Sequence, residues 1–140
     1  MFSVRIRNMM ELEKMVTAPP QTTVSEAAGL MASCRVGALM VVDDGVLTGI
    51  FTERDAVFRV LAPGLDAQTT RLAEVMTQSP VTVDPERSFG HALQLMHEHG
   101  FRHVPVVENG KPVGIVSARD ALDPEMEDFV CEAQRREGIR

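Results

Sequence analysis

The sequence has no apolar run of the roughly 18 residues that a membrane-spanning helix needs. Its first ten residues, Met1 to Met10, carry Arg5 and Arg7 but no continuous apolar stretch and no A-x-A site, so no secretory signal is expected. Cysteine is scarce. Cys34 and Cys131 stand far apart without a C-x-x-C partner, and each falls in a helical pattern. Reduced, partly buried thiols in a cytoplasmic protein are the expectation. Basic residues are outnumbered, 14 Lys and Arg against 20 Asp and Glu, for a net charge of -6. That balance argues against broad nucleic-acid binding, which needs a basic face, but it leaves room for one small anion in a local basic pocket. There is no G-x-S-x-G, no phosphate-binding P-loop and no Cys–His pair with an identifiable partner, so no enzyme is expected.

What is present is a duplication. Gly49-Ile50-Phe51-Thr52-Glu53-Arg54-Asp55-Ala56 returns 65 positions later, from 49 to 114, as Gly114-Ile115-Val116-Ser117-Ala118-Arg119-Asp120-Ala121. At the same offset Val16-Thr17 matches Val81-Thr82, Pro20 matches Pro85, Ala27 matches Ala92, and Leu30-Met31 matches Leu95-Met96. Val41-Val42 and Gly45 match Val106-Val107 and Gly110, and the register runs without a gap from Val16 to Ala56. A tandem repeat is therefore the first organising fact. With 44% hydrophobic residues, the chain has enough apolar material for one domain, or for two half-domains that share a core.

Local signals then give the elements. A short lead-in helix is expected near Ile6–Glu13, and Val16-Thr17-Ala18 reads as a short strand closed by Pro19-Pro20. Thr23-x-x-Glu26 starts a helix over Val24–Cys34. Ala38–Val42 is an apolar strand, Asp43-Asp44-Gly45 a turn, and Val46–Phe51 the returning strand of a hairpin. Gly49 interrupts that strand, as glycine does where a backbone or a ligand comes close. A helix follows from Glu53 to Leu61. The second copy gives a strand at Val81–Val83, a helix over Phe89–Glu98 ending at Gly100, and strands Val104–Val107 and Val113–Val116 around Asn109-Gly110. Asp123-Pro124 opens a last helix, to about Glu137, whose charges suit its dipole. Its apolar stripe, Met126, Phe129, Val130 and Ala133, packs either on its own domain or on a second subunit. The resulting division is 1–15 lead-in helix, 16–61 first repeat, 62–75 linker and second lead-in, 76–122 second repeat, and 123–140 C-terminal helix. The class is α+β (mixed α/β), a β-α-β-β-α unit in tandem.

Each copy of the recurring motif places a hydroxyl residue three positions before a carboxylate, at a strand end where a helix begins. Two readings stand side by side. In one, Thr52 and Ser117 cap helices and the Asp residues satisfy first-turn donors. In the other, two helix N-termini with a hydroxyl and a carboxylate form matched sites for an anion and a sugar.

The tandem β-α-β-β-α units, with V-V-D-x-G followed by G-I-x-[TS]-x-R-D, resemble the CBS domain pair, or Bateman module, over about residues 5–122. The resemblance implies two repeats about a pseudo-two-fold axis, with clefts that commonly bind AMP, ADP, ATP or S-adenosylmethionine. It implies a standalone regulatory module that commonly dimerises through its helices and needs no cofactor. Carried over by position, the ribose carboxylates are Asp55 and Asp120, and the hydroxyls contacting phosphate or ribose are Thr52 and Ser117. The base lies beside Val16, Thr17 and Ala18, or beside Val81, Thr82 and Val83. Val36, Gly37 and Ala38, with Phe101, Arg102 and His103, are then expected to flank the ligand, and Arg119 and Arg54 either reach its phosphate or are solvated helix arginines. Arg102 and His103 replace Gly37 and Ala38, so the Asp120 site is expected to bind a phosphorylated adenosine more tightly. His91, His97, His99 and His103 cluster in sequence, but their spacing does not make a zinc site. The methionines at 9, 10, 15, 31, 40, 76 and 96 read as core filler. The expected function is a non-catalytic sensor of adenosine-bearing ligands acting through a protein partner; the alternative is a ligand-independent dimerisation scaffold.

Overall fold

The structure is a computed structural model and describes residues 3–9 and 15–120. The C-terminal helix, Cys131, Met10 and the far end of the first lead-in lie outside the described residues. Two antiparallel hairpins form the frame. In the first repeat, β1 (Thr17–Ala18) runs parallel to β2 (Ala38–Asp43), which pairs with β3 (Val46–Thr52). In the second, β5 (His103–Glu108) pairs with β6 (Lys111–Ser117). Both hairpins turn on two residues with positive φ, Asp44-Gly45 at 53° and 80° and Asn109-Gly110 at 55° and 79°. Paired positive φ values match the twist of the flanking strands. Both carry a register shift at the same place, Val41/Val42 and Val106/Val107.

Each hairpin is covered by one helix. α1 (Val24–Cys34) starts at Thr23, whose side chain accepts from the Glu26 amide while the Glu26 side chain accepts from Thr23. It buries Val24, Ala27 and Met31, a three-and-four spacing. Ala28, Leu30 and Cys34 are exposed, so Cys34 is a free surface thiol instead of a partly buried one. It ends the helix, one turn beyond the last buried position. The other repeat's helix, α4 (Phe89–His99), buries Phe89, Ala92 and Met96 and stops at Gly100 in the left-handed region. Phe51 and Phe89 are fully buried, each contributing about 1.5–3 kcal/mol.

The lead-in segments are exchanged. Residues Ile6–Asn8 form a single 3₁₀ turn, shorter over the described residues than the expected helix, and they pack on the second repeat. The α3 helix (Leu72–Val75) packs on the first. The backbone contacts correspond one by one. Ile6 N–H donates to Arg87 O and Arg7 N–H to Pro85 O, as Leu72 N–H does to Thr22 O and Ala73 N–H to Pro20 O. Phe89 N–H donates to Val4 O, as Val24 N–H does to Thr70 O. Ile6 and Leu72 are each fully buried in the core they complete.

Three local expectations are corrected. The strand at Val81–Val83 is only an isolated parallel bridge between Val83 and Val106. In the first repeat Met40 N–H donates to Val16 O; the corresponding residue is Pro105, which has no N–H to offer Val81. A strand absent from the sequence reading, β4 (Thr77–Gln78), pairs with β3 at Gly49 and Ile50. The helix over Glu53–Leu61 is an α turn, α2 (Glu53–Asp55), followed by a π-helical segment Ala56–Leu61. Gly49 meets a backbone, as its position in the strand suggested. A Cβ there would stand 2.5 Å from Met76 Sδ and 2.9 Å from Thr77 O.

Candidate functional site

The site lies where strand ends and loop entries of both repeats meet. Thr52 closes β3 in extended conformation, φ -119° and ψ 167°, and α2 begins at the next residue. Its Oγ1 accepts from Asp55 N–H at 3.2 Å, while Asp55 Oδ2 accepts from Thr52 N–H at 3.0 Å and from Thr52 Oγ1 at 3.2 Å. The capping reading of this pair is thus realised. Asp55 is only 7% exposed. Its other oxygen, Oδ1, faces Thr77 Oγ1 at 3.4 Å and Arg59 Nε at 3.5 Å. Arg59 was not singled out from the sequence; its i,i+4 spacing from Asp55 was the available signal.

The second pair is built on the same plan with different hydrogen bonds. Ser117 N–H donates to Asp120 Oδ2 at 2.8 Å, and Ser117 Oγ accepts from Arg119 N–H at 3.1 Å. Ser117 and Asp120 are half-buried and Arg119 is exposed. One backbone bond fixes each loop entry against its motif: Glu53 N–H donates to Gly37 O at 3.0 Å, and Ala118 N–H to Arg102 O at 2.9 Å. Val36, Gly37 and Ala38 are thereby held at Thr52, and Arg102 and His103 at Ser117.

The two repeats touch at Gly37. A Cβ built there would lie 2.6 Å from Glu53 Oε1 and 3.3 Å from His103 Nε2. Glycine leaves room for a carboxylate of the first repeat and an imidazole of the second. Although His103 pairs in register with Ser117, its ring reaches the first repeat, beside Thr52's neighbour. Burial is the main cause holding the His103 pKa below its ordinary value; Glu53 opposes that, and Arg102 and Arg119 reinforce it. Arg102 itself is exposed. Arg54 is exposed and its guanidinium lies 4.4 Å from the Phe58 ring centre.

Of the residues expected beside a base, Thr17 and Thr82 are exposed and Ala18 and Val83 are buried. Thr17 and Ala18 line an open groove of about 520 Å³ with Glu26, Gly29, Leu30 and Ser33 of α1. Thr17, Thr22 and Ser33 bring hydroxyls to that groove and Glu26 a carboxylate, while none of Thr52, Asp55, Ser117 and Asp120 borders it. The histidines disperse: His91 Nδ1 meets Arg87 at 3.1 Å, His99 stacks on Phe101, and His103 lies at the seam.

A duplicated α/β module, with its two motif ends joined across a pseudo-dyad, is the class of protein these features define. The CBS domain family matches residues 6–62 and 72–125, so the chain belongs to the CBS domain family. It is 42% identical over 107 residues to the CBS domain-containing protein YhcV of Bacillus subtilis, covering 76% of each chain. It spans only 21% of the longer CBS domain-containing protein CBSCBSPB1 of Arabidopsis thaliana. The crystal structure of a conserved protein from Pyrococcus horikoshii is 34% identical and superposes with a TM-score of 0.82, over 89% of this chain and 94% of that one. CBS domain protein PAE2072 from Pyrobaculum aerophilum, complexed with AMP, is 29% identical with a TM-score of 0.76, over 84% and 89%.

Proposed function

We propose that this CBS pair is a non-catalytic regulatory module that binds an adenosine-bearing ligand at the seam between its repeats. The observation that carries the reading is the meeting at Gly37 of His103 from one repeat and Glu53 from the other, directly beside the Thr52–Asp55 motif. A ribose needs a carboxylate acceptor for its hydroxyls, and a phosphate needs nearby donors and cations. Asp120, Ser117, Arg102 and Arg119 supply them around the second motif, and His103 reaches across to the first. AMP, ADP, ATP and S-adenosylmethionine are the candidate ligands, and the AMP complex of the Pyrobaculum relative supports the first. Occupancy acts by shifting the packing between repeats or subunits, because a ligand shifts only the equilibrium it binds unequally.

A homodimer in the cytoplasm is part of the same reading. Val57, Phe58 and Leu61 are 49%, 59% and 71% exposed on one helical segment, an apolar patch suited to a second copy. The scaffold reading draws on this patch and on the capping role of Thr52–Asp55. A thermal-shift panel of AMP, ATP, S-adenosylmethionine and NADH separates the two. At a hundredfold excess over its dissociation constant, a ligand of the folded state adds about 2.7 kcal/mol. A transition unmoved by all four compounds rejects the sensor and leaves the scaffold.

A further inference from the structure

We infer that Arg59 and Thr77 form a latch that keeps the first-repeat carboxylate, Asp55, from binding ligand until the inter-repeat linker moves. The inference rests on the reading above, in which the hydroxyl–carboxylate pairs are sugar contacts. A carboxylate offers about four acceptor positions. At Asp55 two are taken on Oδ2, by the amide and hydroxyl of Thr52, and two face donors on Oδ1, Thr77 Oγ1 and Arg59 Nε. A ribose with two adjacent hydroxyls has to displace donors from Oδ1, since the Oδ2 bonds hold the start of α2.

Those donors come from two directions. Arg59 sits in the π-helical segment directly after α2, and widened turns of this kind recur at functional sites. Its Nη1 donates to Met76 O at 3.0 Å and to Val75 O at 3.4 Å, so one guanidinium ties Asp55 to the end of the linker and the residue after it. Thr77 belongs to β4, which is stitched to β3 opposite Gly49 and Ile50, with Met76 Sδ filling the space a side chain at Gly49 would take. Freeing Asp55 therefore means loosening residues 76–78, the segment that leads from one repeat into the next. At the 65-residue offset Arg59 corresponds to Pro124, so the sequence offers no guanidinium at that place in the second motif. Linker movement and first-site occupancy become one event: whatever pulls Thr77 away exposes a sugar acceptor, and a sugar bound there holds the linker open.

The test is calorimetric titration of AMP into the full chain, as wild type, Arg59→Ala and Thr77→Val, with amide exchange on the same proteins without ligand. Arg59 is half exposed, so its truncation leaves the core intact. The expected result is one more AMP bound per chain in Arg59→Ala than in wild type, and exchange at Thr77 and Gln78 about tenfold faster, the scale of one partly exposed ion pair with its hydrogen bond. Thr77→Val moves both readouts the same way by less. Unchanged exchange and unchanged stoichiometry, with AMP bound by the wild type, overturn the latch and leave the adenosyl reading standing. Faster exchange with AMP bound by none of the proteins overturns the adenosyl reading while the clasp between Arg59 and the linker stands.

Discussion

Set side by side, the two repeats agree in backbone and disagree in side chains. Four lead-in and loop-entry hydrogen bonds of one repeat have counterparts in the other: Leu72 to Thr22, Ala73 to Pro20, Val24 to Thr70 and Glu53 to Gly37, against Ile6 to Arg87, Arg7 to Pro85, Phe89 to Val4 and Ala118 to Arg102. The hairpin turns and register shifts coincide as well. Around that shared frame the chemistry has drifted. His103 and Glu53 face each other near Gly37, where the corresponding residues of the mirrored contact are Ala38 and Ala118. The first lead-in, packed on the second repeat, is tied there by the ion pairs Arg5–Glu86, Arg7–Glu86 and Arg7–Glu108; Glu86 corresponds to Gln21 of the first repeat. Backbone pairing sets the architecture and tolerates little change, because each buried N–H and C=O needs a partner. Side chains at the seam are free to specialise, so a symmetric fold can hold two unlike sites.

The exchange of lead-ins gives the largest effect by which to break the comparison. Ile6 completes the second core and Leu72 the first, both fully buried. Ile6→Ala and Leu72→Ala should each destabilise by about 2–5 kcal/mol. Amide exchange should quicken in α4 and β5 for the first variant, and in α1 and β2 for the second. Equal acceleration throughout both repeats for either variant would mean that the halves unfold as one unit and that the assignment of each lead-in to one core has no energetic content.

The helix stops give the next effect. Gly100 ends α4 at φ 73°, and its counterpart Arg35 ends α1 at φ 56°. Left-handed backbone costs a residue with a Cβ about 1 kcal/mol. Gly100→Ala should therefore lose about 1 kcal/mol, and Arg35→Gly should gain somewhat less, since glycine also frees the unfolded chain. Urea denaturation measures both. A gain from Gly100→Ala, or a loss from Arg35→Gly, would show that the two stops are not equivalent.

Much of this was legible because it is written twice. The duplication, α1 from Val24 to Cys34, both hairpins and the seam-side motif follow from periodicity, capping signals and Asp-Gly and Asn-Gly turns. The exceptions have a common cause: they depend on what another part of the chain contributes. Nothing within Val81–Val83 tells that Pro105 lacks the N–H opposite it. Thr77–Gln78 is too short to show a period, and it becomes a strand only because Gly49 admits it. The hydroxyl–carboxylate motif read both as cap and as ligand contact, and the structure adds to the first copy Arg59, one helical turn from Asp55, and Thr77, which only tertiary packing brings there. His103 was assigned to the Asp120 motif from its place in the second repeat; its ring lies across the pseudo-dyad beside Glu53.

That crossing supplies the smallest expected effect and the sharpest test of asymmetry. Burial holds the folded-state pKa of His103 below the ordinary 6.5, with Glu53 pulling the other way. The unfolded chain then binds the proton first as pH falls. The stability associated with keeping the ring neutral is fully present above about pH 6.5 and is lost as pH drops from there toward the folded-state value. Denaturation midpoints from pH 7.5 to 5 should fall more steeply for wild type than for His103→Gln, and more steeply still for Glu53→Gln, which removes the opposing charge. A phosphate beside the ring favours the protonated form, so AMP should bind with proton uptake and more tightly at pH 6 than at pH 8 in wild type, and without that dependence in His103→Gln. Should the variant keep the whole pH dependence of both stability and binding, the imidazole is not the titrating group at the seam, and the chemical difference between the halves has to be sought in the arginines instead.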